Sequence, residues 1–338
     1  MGLAIASDRT SGEEVSLLPS PEIRALANVH DGCTFTRLPL IALNIQPQPL
    51  SPTSGNFGCG YLERDGVRID RFTHDGPHGS YRLEYVKRRS SEPNRFTVYL
   101  AGGPRAMTTG VGPDPFGVHL PVALARQQGA GVLAPAYLGT WTRSRFPGAD
   151  VDLAAEEVRS LIERLRSIHP QAEISVVAAS AGSLVALRVL TRIAVPTVLV
   201  SPSPTSLQDL IADPRDTDVP SEARHQIVRF YRYRPGTQHL EAASASAEVE
   251  VAAFAGNHYA SSLADFIADL PPRRPRCLAI VYGREDRRVR VSRLSEVRAH
   301  YPTIPVVPVA GMGHAQANER QADELARIVL ETMPRQCS

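Results

Sequence analysis

The sequence predicts an α/β fold, a mostly parallel sheet with helices on both faces and an inserted helical cap. Three observations predict it. From residue 96 to 200, short runs rich in Val, Ile and Leu alternate with stretches of helical period, as in parallel strands joined by crossover helices. One of these runs, Ile174-Ser175-Val176-Val177, passes through Ala178-Ala179-Ser180-Ala181-Gly182 into the helix-like Leu184–Leu190. The alternation then breaks over residues 203–274 and resumes at Cys277.

Taken in order, residues 1–60 are rich in Ser, Pro and Gly and read as an irregular extension with one weak helical segment near Glu22–Val29. Val67–Phe72 and Tyr81–Val86 alternate apolar with polar and read as antiparallel strands around the turn Gly76-Pro77-His78-Gly79. Phe96–Leu100 is a buried strand running into Ala101-Gly102-Gly103-Pro104, and Pro121–Gln128 is a short helix. Gly131–Pro135 is a strand followed by the loop 136–144. A helix with Val151, Val158, Leu161, Ile162, Leu165 and Ile168 on one face is capped by Asp150 and stopped by Pro170.

Beyond the serine turn, Pro196–Val200 is another buried strand. Residues 203–274 hold helix-like pieces at Leu207–Ile211, Ala223–Tyr233 and Tyr259–Leu270 and read as the cap. The core is then 61–202 with 275–338, closed by the strand Cys277–Tyr282, a helix near Val291–His300, the strand Pro305–Val309 and a last helix, Arg320–Met333.

The composition sets limits on function. In 338 residues, 37 Lys and Arg nearly balance 35 Asp and Glu, a net charge of +2 that calls for no nucleic-acid partner and no anionic membrane. Lys87 is the only lysine among the 37 basic residues, a bias that genome composition explains and that avoidance of ubiquitination in a host would also explain. No run has the length of a transmembrane helix, and Met1–Ser7 has neither the basic start nor the apolar core of a signal peptide, so a cytoplasmic location is expected. Cys33, Cys59, Cys277 and Cys337 show no metal spacing and no disulfide framework, so free thiols are expected. Oligomeric state is not legible.

The serine turn points to chemistry. Small residues at 178 and 182 suit a tight strand-to-helix turn that exposes Ser180, and the helix start aims free N–H groups at developing negative charge. Taken alone, Ser180 reads equally as a helix N-cap, and Ala242-Ala243-Ser244-Ala245-Ser246 shows that small residues around serine arise without a preceding strand. A serine nucleophile needs a base, and the base needs an orienting acid. Gly283-Arg284-Glu285-Asp286 follows one later strand and Gly311-Met312-Gly313-His314 follows the next, both at carboxyl strand ends where open α/β sheets build their sites. Ser180, Asp286 and His314 are therefore the expected nucleophile, acid and base. Glu285 and Asp209 are alternative acids, and turn capping is the alternative reading of Asp286. The oxyanion donors are expected to be the N–H groups of Ala181 and Gly103. A phosphate loop is the weaker reading of Gly102-Gly103, since no G-x-x-x-x-G-K string exists.

With these motifs in hand, Ala101-Gly102-Gly103-Pro104, Ala178-Ala179-Ser180-Ala181-Gly182, Gly283-x-x-Asp286 and Gly313-His314 resemble the α/β-hydrolase superfamily over residues 66–335. The Gly-Gly-Pro string is closest to the proline-iminopeptidase-like branch. That resemblance implies an eight-stranded sheet, a cap after the sixth strand, and hydrolysis without metal or cofactor. Departures are Ala101 where the branch usually has His, Arg105 where it has Gly, and Ala178 for the first Gly of the serine turn. Residues 136–143 replace its Asp-x-Arg-Gly-x-Gly-x-Ser stretch.

Gly102, Arg105, Tyr137, Trp141 and Arg143 are candidates for the substrate pocket, where the arginines would favour an anionic substrate and otherwise lie on the surface. The expected function is a serine hydrolase of an ester, thioester, lactone or amide, acting on a small acyl or peptide-like substrate. An acyltransferase or cyclase with the same triad is the alternative. A non-catalytic binding protein or host-directed effector on the same scaffold is the third reading.

Overall fold

The computed structural model describes residues 36–37, 60–64, 66–88, 93–102, 116–137, 150–206, 208–209, 256–286, 291–314, 319–335 and 337. Ten strands form one sheet: β1 (Thr36–Arg37), β2 (Gly60–Arg64), β3 (Val67–Gly76), β4 (Gly79–Arg88), β5 (Arg95–Leu100), β6 (Gly131–Pro135), β7 (Glu173–Ala179), β8 (Thr197–Val200), β9 (Leu278–Gly283) and β10 (Val306–Val309). The spatial order is β1-β2-β3-β4-β6-β5-β7-β8-β9-β10. β2, β3, β4 and β6 pair antiparallel, and β6, β5, β7, β8, β9 and β10 run parallel. The eight expected strands are β3–β10. β1 and β2, from the stretch before Val67, join them at one edge.

Six helices are described: α1 (Phe116–Gln128), α2 (Val151–Ile168), α3 (Gly182–Arg192), α4 (Leu263–Ala268), α5 (Leu294–His300) and α6 (Glu319–Thr332). The central strands β5–β9 are buried on both faces, and their period of two splits the core. Val98, Leu100, Val176, Ala178, Leu199 and Ile280 pack with α2, α3, α4 and α5. Tyr99, Ala101, Val177, Ala179, Val200 and Val281 pack with α1 and α6.

Local chemistry sets the helix ends. Asp150 caps α2, its Oδ1 accepting from the Leu153 N–H at 2.8 Å. α1 begins at Phe116 rather than Pro121, because a proline removes one rung of the ladder and the apolar packing of Leu120, Val122 and Leu124 carries the helix through it. Most of the expected cap, including Ala223–Tyr233, lies outside the described residues. Its described end packs on the core: Leu263, Phe266 and Ile267 of α4 are buried with α3. Asp152 at the start of α2 accepts from Arg188 Nε of α3 at 2.8 Å and meets His258 Nε2, ahead of α4, at 3.2 Å. Burial pushes the Asp152 carboxyl up, but the Arg188 hydrogen bond and charge, with His258, outweigh it and hold it below its usual value.

The cysteine expectation is corrected in part. Cys277 and Cys337 form a disulfide, with Cα atoms 4.8 Å apart. Their 60-residue separation hides the pairing in the sequence; β9 and α6 bring the two ends of that stretch together. Cys33 and Cys59 lie outside the described residues.

Candidate active site

The chain winds from β5 through α1 to β6 on one side, then through α2 to β7 on the other. Strand order reverses there, and the carboxyl ends of parallel strands open a crevice at such a point. β7 ends in that crevice at Ser180, whose φ of +48° is in the left-handed region. A non-glycine residue held there stores on the order of 1–3 kcal/mol of strain. The surroundings impose it: the Ser180 N–H donates to the Val200 carbonyl at 2.9 Å, while the Ser180 and Ala181 carbonyls accept from Ser183 and Leu184 at 3.0 and 3.1 Å as α3 begins. Ala181 stands at the N-terminus of α3, where backbone N–H groups have no partner within the helix.

Two loops bring partners to the serine. The turn after β9 carries Asp286, and the loop after β10 carries His314. The N–H groups of Arg284 and Glu285 donate to the Val309 and Met312 carbonyls at 2.9 and 3.1 Å, which stitches the two together. The approach is so close that a Cβ on Gly283 would stand 2.0 Å from the Met312 carbonyl oxygen, so only glycine fits.

His314 then bridges the crevice. Its Nδ1 lies 2.9 Å from Asp286 Oδ2 and its Nε2 lies 2.8 Å from Ser180 Oγ. A carboxylate only accepts, so Nδ1 carries the proton and Nε2 is left to accept from the serine hydroxyl. The Asp286 side chain is fully buried and that of His314 is 11% exposed, so the pair works in a poorly screened environment. A polarised hydroxyl beside an oriented imidazole is the arrangement of nucleophilic acyl transfer.

The structure thus brings Ser180, Asp286 and His314 together. The alternative acids stand apart: Glu285 is exposed, and Asp209 is exposed with its N–H donating to Ser206 Oγ at 2.9 Å. Gly102 lies against Ser180, 2.9 Å from its Cβ for an added methyl. Tyr137 is 1% exposed and donates its hydroxyl to the Ala101 carbonyl at 2.8 Å, so it faces the protein rather than an open pocket. Gly103, Arg105, Trp141 and Arg143 lie outside the described residues.

One feature of the site had no sequence signal. Ser201, at the end of β8 between the strands that deliver Ser180 and Asp286, has a φ of +49° and is buried. Its Ser-Pro-Ser-Pro context reads only as the exit from a strand. Among the described residues, no group of three or more His, Cys, Asp or Glu side chains is placed to hold a metal ion, and no helix is long and apolar enough to cross a membrane.

Residues 98–328, spanning the strands and loops that build this site, match the family described as the Alpha/beta hydrolase family. The chain belongs to that family. It is an enzyme of the hydrolase class. Among solved structures, this α/β hydrolase is similar to a Pyrococcus furiosus esterase, at 15% identity with a TM-score of 0.52, over 80% of this chain and 92% of the esterase. It is also similar to an α/β serine hydrolase without a lid from Xanthomonas campestris (14% identity, TM-score 0.48, 79% and 96% covered) and to an acylaminoacyl peptidase of Pyrococcus horikoshii (12% identity, TM-score 0.48, 80% and 42% covered). A comparison of the sequence with curated proteins finds no match.

Proposed function

We propose that this α/β hydrolase cleaves an ester, thioester, lactone or amide bond through an acyl-enzyme on Ser180. The observation that carries the reading is the chain of two hydrogen bonds, 2.8 and 2.9 Å, from Ser180 through His314 to Asp286. His314 Nε2 takes the hydroxyl proton as Ser180 Oγ attacks the substrate carbonyl. Asp286 holds the tautomer and stabilises the imidazolium. The N–H groups of Ala181 and Gly103 receive the negative charge on the carbonyl oxygen. Collapse of the tetrahedral intermediate breaks the bond to the leaving group, which takes its proton from His314. Water then attacks the acyl-enzyme with His314 again as base and releases the acid.

The Gly102-Gly103-Pro104 string supports placing the chain in the proline-iminopeptidase-like branch, with Ala101 and Arg105 as its departures. A disulfide persists where thiols are not kept reduced, so Cys277–Cys337 weighs against the cytoplasmic location expected from the N-terminal residues.

The test is a panel of nitrophenyl esters, an acyl thioester, a lactone and a prolyl anilide offered to the full chain and to Ser180→Ala. At least one class should turn over, and the variant should lose about 10³-fold or more of kcat while staying folded. Equal turnover by Ser180→Ala would refute the proposal.

A further inference from the structure

His314 reaches Ser180 from a short loop. Between the end of β10 and the imidazole lie Ala310, Gly311, Met312 and Gly313. The two glycines carry no side chain to fix the path, and Gly311 uses its freedom at a φ of +71°. Ala310 and Gly311 are exposed, and Gly313 is half-buried. Met312 differs from the other three. It is 1% exposed, and its side chain belongs to the core cluster of Val281, Val309, Ala322 and Leu325. Met312 also stands where the two loops cross. Its carbonyl accepts at 3.1 Å from the N–H of Glu285, the residue before Asp286. A Cβ on Gly283 would stand 2.0 Å from that oxygen and 2.4 Å from the Gly313 oxygen. Two residues beyond Met312, His314 Nδ1 meets Asp286 Oδ2 at 2.9 Å. These contacts close a ring of Glu285, Asp286, Met312, Gly313 and His314. Of these residues, Met312 is the one whose side chain is part of the hydrophobic core.

We propose that Met312 is a positioning residue for His314: its side chain, anchored in the core, fixes the loop on which the imidazole meets Asp286 and Ser180. The inference rests on the acyl-enzyme reading above and adds to it what holds the base in place. Two residues span at most about 7 Å, so a shift of the backbone at Met312 is passed almost directly to His314. A proton-transfer contact tolerates little of it, since misplacement by about 1 Å can cost on the order of 10²-fold in rate. Truncating Met312 to alanine empties a space that the surrounding core refills only in part. The loop then keeps the Glu285 N–H and, from the first turn of α6, Gln321 Nε2, which donates to the exposed Gly311 carbonyl at 2.8 Å. Both hold backbone oxygens and neither fills the space. The Met312 side chain is buried in the core, and its effect reaches the reaction through His314.

The experiment compares the full chain with Met312→Ala, Met312→Leu and Val329→Ala on the best ester of the panel. Rates are normalised to sites titrated to completion by a fluorophosphonate. The rate of that phosphonylation is recorded as well, since Ser180 attacks phosphorus with His314 as its base. Met312→Ala should lower kcat and the phosphonylation rate together by about 10- to 100-fold and leave KM within about twofold. Met312→Leu keeps the volume and should bring both rates to within about threefold of the parent. Val329 belongs to the same core cluster but lies about 12 Å along α6 from Gln321, which touches the loop. Val329→Ala should lower the unfolding midpoint and leave both rates within about twofold.

The inference is overturned if Met312→Ala keeps the parental kcat and phosphonylation rate, or if Met312→Leu is as slow as Met312→Ala. A loss of rate in Val329→Ala equal to that in Met312→Ala would also overturn it. Should Met312→Ala not fold, Met312→Val, which keeps part of the anchor, is expected to show the same paired loss in smaller measure. Parental rates in that variant count against the inference. A parent chain that forms no adduct at Ser180 would instead sink the acyl-enzyme reading itself, and this inference with it.

Discussion

The two edges of the parallel sheet are built to different standards. At the carboxyl edge, Ser180 and Ser201 both sit at positive φ, Gly283 lets two loops cross at a distance that excludes any side chain, and a buried carboxylate is committed to an imidazole. Among the described residues at the amino edge, no non-glycine residue sits at positive φ. His169 stacks on Phe96 with ring centroids 4.8 Å apart, Arg95 pairs with Glu173 at 2.8 Å, and the Cys277–Cys337 disulfide ties the start of β9 to the residues after α6. On the proposed acyl-enzyme reading, the same strands carry reactivity at one end and cross-links at the other. Residues at the carboxyl edge should cost rate when changed, and residues at the amino edge should cost stability.

The largest expected effect lies at the reactive edge. Asp286→Asn keeps the shape of the acid, but an amide can donate to Nδ1 and turn the His314 tautomer over, so that Nε2 no longer accepts from Ser180. kcat should fall on the order of 10⁴-fold, with cooperative unfolding retained. A variant that unfolds but keeps its rate per folded molecule would break the comparison.

Next comes the opposite edge. The disulfide closes a 60-residue stretch that includes both Asp286 and His314. Cys277→Ser should lower stability by about 4 kcal/mol on the chain-entropy view, measured by denaturant unfolding, with kcat per titrated site unchanged. An unchanged unfolding midpoint, or a lower kcat in molecules that remain folded, would contradict this assignment.

The smallest effect sharpens the boundary between core and cap. Asp152 is held below its ordinary value when folded, so its contribution is present above the unfolded carboxylate value, near pH 4, and fades as pH falls through the lower folded value. Asp152→Asn should lose about 1 kcal/mol or less at neutral pH, and its unfolding midpoint should converge with the parent's in acid. A gap that stays constant down to strongly acidic pH would show that the ion pairs with Arg188 and His258 are not its source.

The reactive edge was largely legible in the sequence and the opposite edge was not, for a physical reason. A tight serine turn, a Gly-x-x-Asp turn and a Gly-His loop each demand small residues within a few positions of a polar one, so each leaves a local mark. The strand it follows set Asp286 apart from Asp209 but not from its neighbour Glu285, and the structure separates the three. The disulfide leaves no such mark, since Cys277 and Cys337 meet only through the return path of α6. β1 and β2 were hidden for a similar reason: Gly60–Arg64 is recognisable as a strand only opposite Val67–Arg71. Tyr137 reads as a pocket residue until the β5–β6 register puts Ala101 beside it.

Covalent labelling tests most directly whether one hydroxyl of this chain, that of Ser180, is activated. The folded full chain is treated with a fluorophosphonate and its peptides are mapped by mass. A single adduct on the peptide carrying Ser180, absent from Ser180→Ala, is expected. An adduct on another residue, or none on folded protein, would contradict it.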